Sequence, residues 1–477
     1  MITARRMQSD FADLWIHETV QELWEPWMRH AHKALRDDNL VDLVEAELNQ
    51  RCAKSKTRGR PSYPVEVVLS MLLLKHLRDM SFATVVREVR GNLVYRQFTG
   101  IGGGTVPDEK TLGRVARQLG PKAMKRIQAR MVEIARQEGV IEGVRVRMDT
   151  TVVETDIHYP TDSKLINDGV RVLTREMKRL GGAIGRKVRD SSRSVKRGVL
   201  AIARASRSRT GKGKQQMKAA YGRLLETTQR VVGQAKSVAR QTALAIPLSS
   251  GKPARQWKQL NRMIPLVEQV MRQTRARVLE GNTRSEGKIV SVFEPHTAVI
   301  RKGKASKPTE FGNLVLLVEA ENQIVTTYRI WEGNPADATL LIEGLESHIA
   351  VMGRAPKLLA ADSGFFSAAN EKRAFELGVG KVAIPLKGSK SAARLKTQKT
   401  RWFKNAQRWR TGCEGRISVL KRRHGLHRCR YKGPSGMERW VGWGIIADNF
   451  TNIGCHLAGQ EEAAARAARQ PAAAAPR

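Results

Sequence analysis

Residues 144–151 read Val144-Arg145-Val146-Arg147-Met148-Asp149-Thr150-Thr151. Apolar residues alternate with arginines at period two, which predicts a strand with one buried face that ends at Asp149-Thr150-Thr151. Further strand signals follow: Lys288 to Phe293, then Asn313 to Glu319 and Gln323 to Ile330 joined by a hairpin at Glu321-Asn322. Lys357 to Ala361 stops at Asp362-Ser363-Gly364, and Lys381 to Pro385 is the next strand. Helices lie between them, one capped by Asp337 and running to about Met352, another capped by Ser367 and stopping at Gly378. This interleaving predicts an α/β domain built on a mixed sheet.

Upstream of the strand the texture is helical. Pro64 to His76 carries apolar residues at helical spacing, Ser81 caps a short helix through Val89, Asp108 caps Lys110 to Gln118, and Pro121 to Gln137 is one more. A turn at Gly100 to Gly104 divides them. Short helices with tight turns suit a helix-turn-helix DNA binder, and equally a small bundle that only packs or dimerises. Just before them, Arg58-Gly59-Arg60-Pro61 reads as a minor-groove hook or as a plain basic linker. Residues 164–280 turn helical again, with stripes such as Met263, Val267, Val270 and Met271, and predict an inserted hairpin or arm. The boundaries are therefore a helical N-terminal domain over 1–140, an α/β domain over 141–455 interrupted by a basic insertion over 164–280, and a disordered Ala-rich tail over 456–477.

Charge says what such a chain meets. Its 477 residues hold 85 Lys and Arg against 45 Asp and Glu, a net +40, which points to a polyanion as partner. The excess is uneven: residues 164–280 have 28 basic and 6 acidic residues, and from Lys381 to Lys432 there are 17 basic residues with Glu414 as the only acid. The two stretches predict two basic tracks along a bound nucleic acid. A membrane partner is disfavoured, because the longest apolar run, Val67 to Leu74, is broken by Ser70 and falls far short of about 20 residues. With no apolar signal-peptide core near Met1, a cytoplasmic, nucleoid-associated protein is expected. Cys52, Cys413, Cys429 and Cys455 show no CxxC pair, and a zinc set of Cys413, His424, His427 and Cys429 has no common spacing.

Three acids sit in distinctive places: Asp149 and Asp362 at strand ends and Glu414 on a helix. A lone carboxylate inside a basic run suggests a metal ligand beside a polyanion, since a divalent cation requires anionic oxygen donors. Gln407, Arg410, Glu414 and Lys421 fall within about 60° of one helix face at 100° per residue. Arg422, Arg423 and His424 continue that helix as phosphate-contact candidates. Trp331, before Gly333-Asn334-Pro335, could stack on an unpaired base or anchor its strand. His158, Thr161 and Asp162 could line the same cleft as Asp149.

Arg410-x3-Glu414-x6-Lys421 resembles the Y-(2)-R-(3)-E-(6)-K signature of the DDE transposases of bacterial insertion sequences. Asp362-Ser363-Gly364-Phe365 is similar to their second-aspartate motif and Asp149-Thr150-Thr151 to their first. Gly59-Arg60-Pro61, Tyr95, Arg96, Phe98 and Pro107-Asp108 resemble the family's N-terminal domain. The chain departs from the signature at Gln407, where the family has tyrosine, and by a long gap between the two aspartates. The resemblance implies a ribonuclease H-like mixed-sheet core that brings Asp149, Asp362 and Glu414 together around two Mg²⁺ ions, with Mn²⁺ a possible substitute. One ion would activate a water or 3′-hydroxyl and the other stabilise the leaving oxygen. It also implies double-stranded DNA partners, namely element terminal repeats and target DNA, with Arg410 and Lys421 near the scissile phosphate and a homodimer in the synaptic complex. The competing readings are a non-catalytic DNA-binding protein, whether a decayed transposase or an architectural factor, and a structure-selective nuclease on a related fold.

Overall fold

A computed structural model describes residues 2–3, 20–49, 63–208, 210–301, 308–388 and 391–469. The chain divides into two compact units, Met1–Thr155 with Ile300–Arg477, and Asp156–Val299.

The first unit is organised by β1 (Arg145–Thr155), four residues longer at its C-terminal end than the Val144 to Thr151 alternation predicts. Its length follows from its partners. On one edge it pairs antiparallel with β3 (Glu310–Glu319) from Arg147↔Glu319 to Glu154↔Gly312, so hydrogen bonding carries it past Asp149. On the other edge β5 (Leu358–Ala361) runs parallel and stops at Met148↔Ala361, and the short β7 (Arg428–Cys429) pairs only with Glu154 and Thr155. Asp149 therefore lies within a strand, where that edge of the sheet splits, and not at a strand end. The full order is β2-β3-β1-β5-β6, with β4 also on β3 and β7 on β1; β2 is Ala298–Ile300, β4 Val325–Trp331 and β6 Lys381–Ala383. The β3–β4 connection is a 3-10 turn, Glu321–Gln323, in which Asn322 and Gln323 take positive φ of 51° and 65°. Mixed parallel and antiparallel pairing agrees with the α/β prediction. The expected strand Lys288 to Phe293 is absent: it lies in the second unit, where Gln273 bonds both the N–H and the carbonyl of Ile289 through its side chain and so replaces a sheet neighbour.

Seven helices precede the sheet in the described residues: α1 (Pro26–Ala34), α2 (Asp38–Asn49), α3 (Val65–Leu77), α4 (Phe82–Gly91), α5 (Leu93–Thr99), α6 (Glu109–Gln118) and α7 (Pro121–Gln137). Ser81 and Asp108 cap α4 and α6 as their positions predict. All thirteen residues of α3 are buried, the signature of a helix enclosed on every side, so α3 offers no face to a DNA groove. These helices share one core with the C-terminal helix, joining Met28, Leu72, Phe98 and Met124 to Trp443 and Phe450. Residue 140 is thus not a break between compact units. The C-terminal helix spans Pro434–Arg469 and replaces the expected disorder over 456–469, residues 470–477 lying outside the described residues: alanine is the best helix former, and a Glu462–Arg466 pair one turn apart supports the exposed end.

The second unit is more than a hairpin. Four helices, α8 (Asp162–Ala183), α9 (Ser192–Ala205), α10 (Gly211–Ala245) and α11 (Gly251–Val278), enclose their own core, including Leu173, Leu224, Val231 and Val267. Thr161 caps α8, and Asp162 is buried against Arg277 at 3.2 Å, so both serve this unit's packing. Burial raises the Asp162 carboxyl, and Arg277 opposes that shift. His158 faces Asp168 at 3.4 Å.

Candidate active site

The parallel register of β1 and β5 decides where the first two acids meet. Because Met148 pairs with Ala361, the next residue on each strand is Asp149 and Asp362, side by side at the point where β5 ends. Asp362 leaves the sheet as the cap of a 3-10 turn, Ser363–Phe365, accepting bonds from the Ser363 N–H and, at 3.0 Å, its hydroxyl. Fully buried Phe365 anchors that turn while Asp362 itself stays exposed. Asp149 Oδ1 accepts from the Thr150 N–H at 2.7 Å.

The third acid is carried by α15 (Arg401–Arg423), which follows α12 (Leu341–Met352), α13 (Ala368–Glu376) and α14 (Ala392–Lys399) and whose seat on the sheet is set by two contacts. Gln407 Nε2 donates to the carbonyls of Ala361 and Ala383, where β5 and β6 finish. An amide at this position thus takes a positioning role at the strand ends, which gives the departure from the signature tyrosine a concrete function. Two residues on, Arg147 donates to the Trp409 carbonyl and pairs with Glu319 at 2.5 Å. Arg147 is 6% exposed, although the alternating pattern of β1 assigns it to an open face; α15 covers that face, and the buried Glu319 supplies its counter-charge. Gly412 permits the approach, since a Cβ there would stand 2.4 Å from an Arg147 nitrogen. Burial raises the Glu319 carboxyl, with Arg147 acting against the shift, and burial also pushes the neighbouring Cys413 thiol well up.

Arg410 connects the acids. Its guanidinium lies 3.7 Å from Asp149 Oδ2 and 3.1 Å from Glu414 Oε1, and its Nε is buried without a partner. It thus supplies positive charge between two of the three carboxylates. Three oxygen-donor side chains are the right chemistry for a hard divalent cation. Among the described residues no group of three His, Cys, Asp or Glu side chains is already closed around a metal position. The donors fit in kind, and Arg410 occupies the place between Asp149 and Glu414.

A fourth carboxylate joins the same turns. Asp337 Oδ1 accepts from the Thr150 hydroxyl at 2.9 Å, and its other oxygen stands 3.2 Å from where a Cβ on Gly364 would lie. Asn370 ties this turn down by donating to the carbonyls of Ala338 and Phe365. In sequence Asp337 carries only the signal of a helix cap; its contact with Thr150 spans 187 positions and has no local trace.

The remaining candidates disperse. Lys421 is partly exposed two turns beyond Glu414, and Arg422 and Arg423 are exposed beside it. His424, expected among the phosphate contacts, is 3% exposed with Nε2 at 3.3 Å from the buried Asp448, because the chain turns inward there against the C-terminal helix. Trp331 closes β4 with the Arg329 guanidinium over its ring at 4.7 Å, so that face is already covered. Cys413 lies beside Glu319 while the Cys429 thiol donates to the Tyr431 carbonyl, and with His424 on Asp448 the four candidate zinc donors do not converge. Arg58 and Arg60 lie outside the described residues. Among the described residues no helix is long and apolar enough to cross a membrane.

Residues 23–118 match the family described as Transposase domain (DUF772), and residues 287–450 match Transposase DDE domain. Asp362 and Glu414 fall inside the second match, whereas Asp149 lies between the two. The chain is also similar to "Uncharacterized protein ORF8 in nfe locus" of Rhizobium meliloti, at 30% identity over 129 residues, which is 26% of this chain and 62% of that protein. The chain thus spans less than two thirds of that curated relative. No solved structure matches the chain. With a transposase domain ahead of a DDE domain, and Asp149, Asp362 and Glu414 on elements that meet where β5 ends, this chain belongs to the DDE transposases of insertion sequences.

Proposed function

We propose that this protein is a DNA transposase that binds the ends of its element, hydrolyses phosphodiester bonds there and transfers the freed 3′ ends to target DNA. The observation that carries this is the β1–β5 register, which sets Asp149 beside Asp362 under the helix that holds Glu414. The strand order β4-β3-β1-β5-β6, with β3 antiparallel and β5 and β6 parallel, supports a ribonuclease H-like core. Asp149, Asp362 and Glu414 would hold Mg²⁺, or Mn²⁺, which supplies activation of a water or 3′-hydroxyl and charge stabilisation at the leaving oxygen.

The chain's own residues do the rest. Arg410, held between Asp149 and Glu414, is the side chain able to exchange its carboxylate partners for a DNA phosphate, since a guanidinium binds both in the same forked geometry. Lys421, Arg422 and Arg423 extend the positive surface along the same helix and would position the backbone without reading bases. Gln407 and Arg147 fix the helix so that Glu414 stays in place when Arg410 leaves it. Two ends brought together for joining call for a homodimer.

The test is Mg²⁺-dependent nicking and joining of labelled DNA carrying the element's terminal repeats. Wild-type protein should do both, and Asp362→Ala should do neither. Hydrolysis without joining would indicate a nuclease, and equal rates for the two proteins would remove Asp362 from the site.

A further inference from the structure

From Ser191 to Leu225 the chain contains ten Lys and Arg and no Asp or Glu. The fold orders part of this stretch. In α9 the buried residues are Val195 and Ile202, which lie at about 200° and 180° from Arg193 at 100° per residue. Arg193, Arg197 and Arg204 fall at about 0°, 40° and 20°, on the face opposite the core, and all three are exposed. They form one straight ridge about 16 Å long, roughly five base pairs of duplex.

Some cations elsewhere in the same unit have acidic partners, as Lys178 does in Asp190 at 2.7 Å and Lys236 in Glu268 at 2.7 Å. No carboxylate pairs with Arg193, Arg197 or Arg204 among the described residues. A helix whose outer face is only solvated normally mixes both signs, because pairs at i,i+4 stabilise it and like charges at that spacing destabilise it. Arg193 and Arg197 are such a like-charged pair, so the ridge weakens its own helix until an external polyanion neutralises it. Guanidinium groups spaced along a rigid rod match the regular charge of a phosphate backbone.

We infer that the outer face of α9, through Arg193, Arg197 and Arg204, is a binding surface for the backbone of double-stranded DNA that contacts phosphates and reads no bases. The inference rests on the transposase reading for its choice of DNA and concerns a surface distinct from the carboxylates.

The full-length protein and the triple variant Arg193→Gln/Arg197→Gln/Arg204→Gln would be compared by titration with fluorescent duplexes from 50 to 400 mM NaCl. One duplex carries the element end and one is unrelated. Glutamine keeps the helix, which far-UV circular dichroism checks, and the triple Arg→Lys variant restores the charge. Each lost phosphate contact lowers the slope of log K against log salt by about 0.9, so the triple variant should lose 2 to 3 units of slope and roughly 10²-fold in affinity near 0.1 M salt. The loss should be equal on both duplexes, and the Lys variant should recover most of it. An unchanged slope, or a loss confined to the end-containing duplex, overturns the inference. If the slope falls as expected while the wild-type protein cuts neither duplex, the surface stands and the transposase reading fails.

Discussion

Removing Asp448 should destabilise the first unit more than almost any other single change at a site that touches no DNA. Asp448 is 1% exposed and accepts from Arg416 at 2.6 Å, with His424 at 3.3 Å and Asn452 at 3.1 Å. Arg416 is itself 6% exposed, and its Nε has no partner. Asp448→Ala would therefore leave a guanidinium buried without a counter-charge, a situation that costs about 3 to 5 kcal/mol, whereas replacing both partners by apolar residues of similar volume is often neutral. The expected costs are thus about 4 kcal/mol for Asp448→Ala and less than about 1 kcal/mol for Arg416→Met/Asp448→Leu. Urea unfolding followed by tryptophan emission suits the test, because Trp257 lies in the second unit and the other described tryptophans lie in the first. With a slope of about 3 kcal/mol per molar, Asp448→Ala should lower the midpoint by about 1 M or more. Arg416 lies on α15 two residues beyond Glu414, so the single variant should also lose DNA cleavage at temperatures where it is still folded. If Asp448→Ala shifts the midpoint no more than the double variant, the pair is not the electrostatic lock described and the reasoning fails.

Three further outcomes are expected. Lys75 sits among Phe82, Tyr431 and Trp440, with its ammonium 4.9 to 5.2 Å from their ring centres, and burial lowers its pKa to about 8 from the ordinary 10.5. Below pH 8 both folded and unfolded states are protonated and the cost of burying the charge is fully present. As pH rises toward 10.5 the folded state releases its proton first, and stability is regained by about 3 kcal/mol. Wild type should accordingly gain on Lys75→Met across that window in paired denaturation curves, and a flat difference would contradict the buried cation. Gln407→Leu strands the carbonyls of Ala361 and Ala383 and should cost about 1 to 3 kcal/mol while depressing single-turnover nicking, both read on the same preparation. Asp337→Ala should slow nicking at saturating DNA, with Asp337→Asn recovering much of it because an amide oxygen still accepts from the Thr150 hydroxyl; equal rates for the two variants would assign Asp337 to packing alone.

What can be read from the sequence and what needs the fold divide along the reach of each interaction. Period-two alternation, capping side chains and turn residues act within a few positions. They made the mixed α/β class legible, along with the Ser81 and Asp108 caps, the helix bearing Glu414 and the basic stretches. Spacing along α15 also placed Arg410 one turn from Glu414, and the structure joins them at 3.1 Å. Interactions across the chain are invisible at that range. Nothing near Asp149 says that β3 prolongs its strand to Thr155, that Arg147 is turned inward by a carboxylate 172 positions away, or that Asp337 meets Thr150. Nor does the basic run after Glu414 show that His424 turns inward to Asp448 while Arg422 and Arg423 remain outside. Sequence alone determined which residue types are available and on which faces of their own elements they lie. Only the tertiary structure decided which of them share a site, because strand register, burial and counter-charge are set by partners remote in the chain.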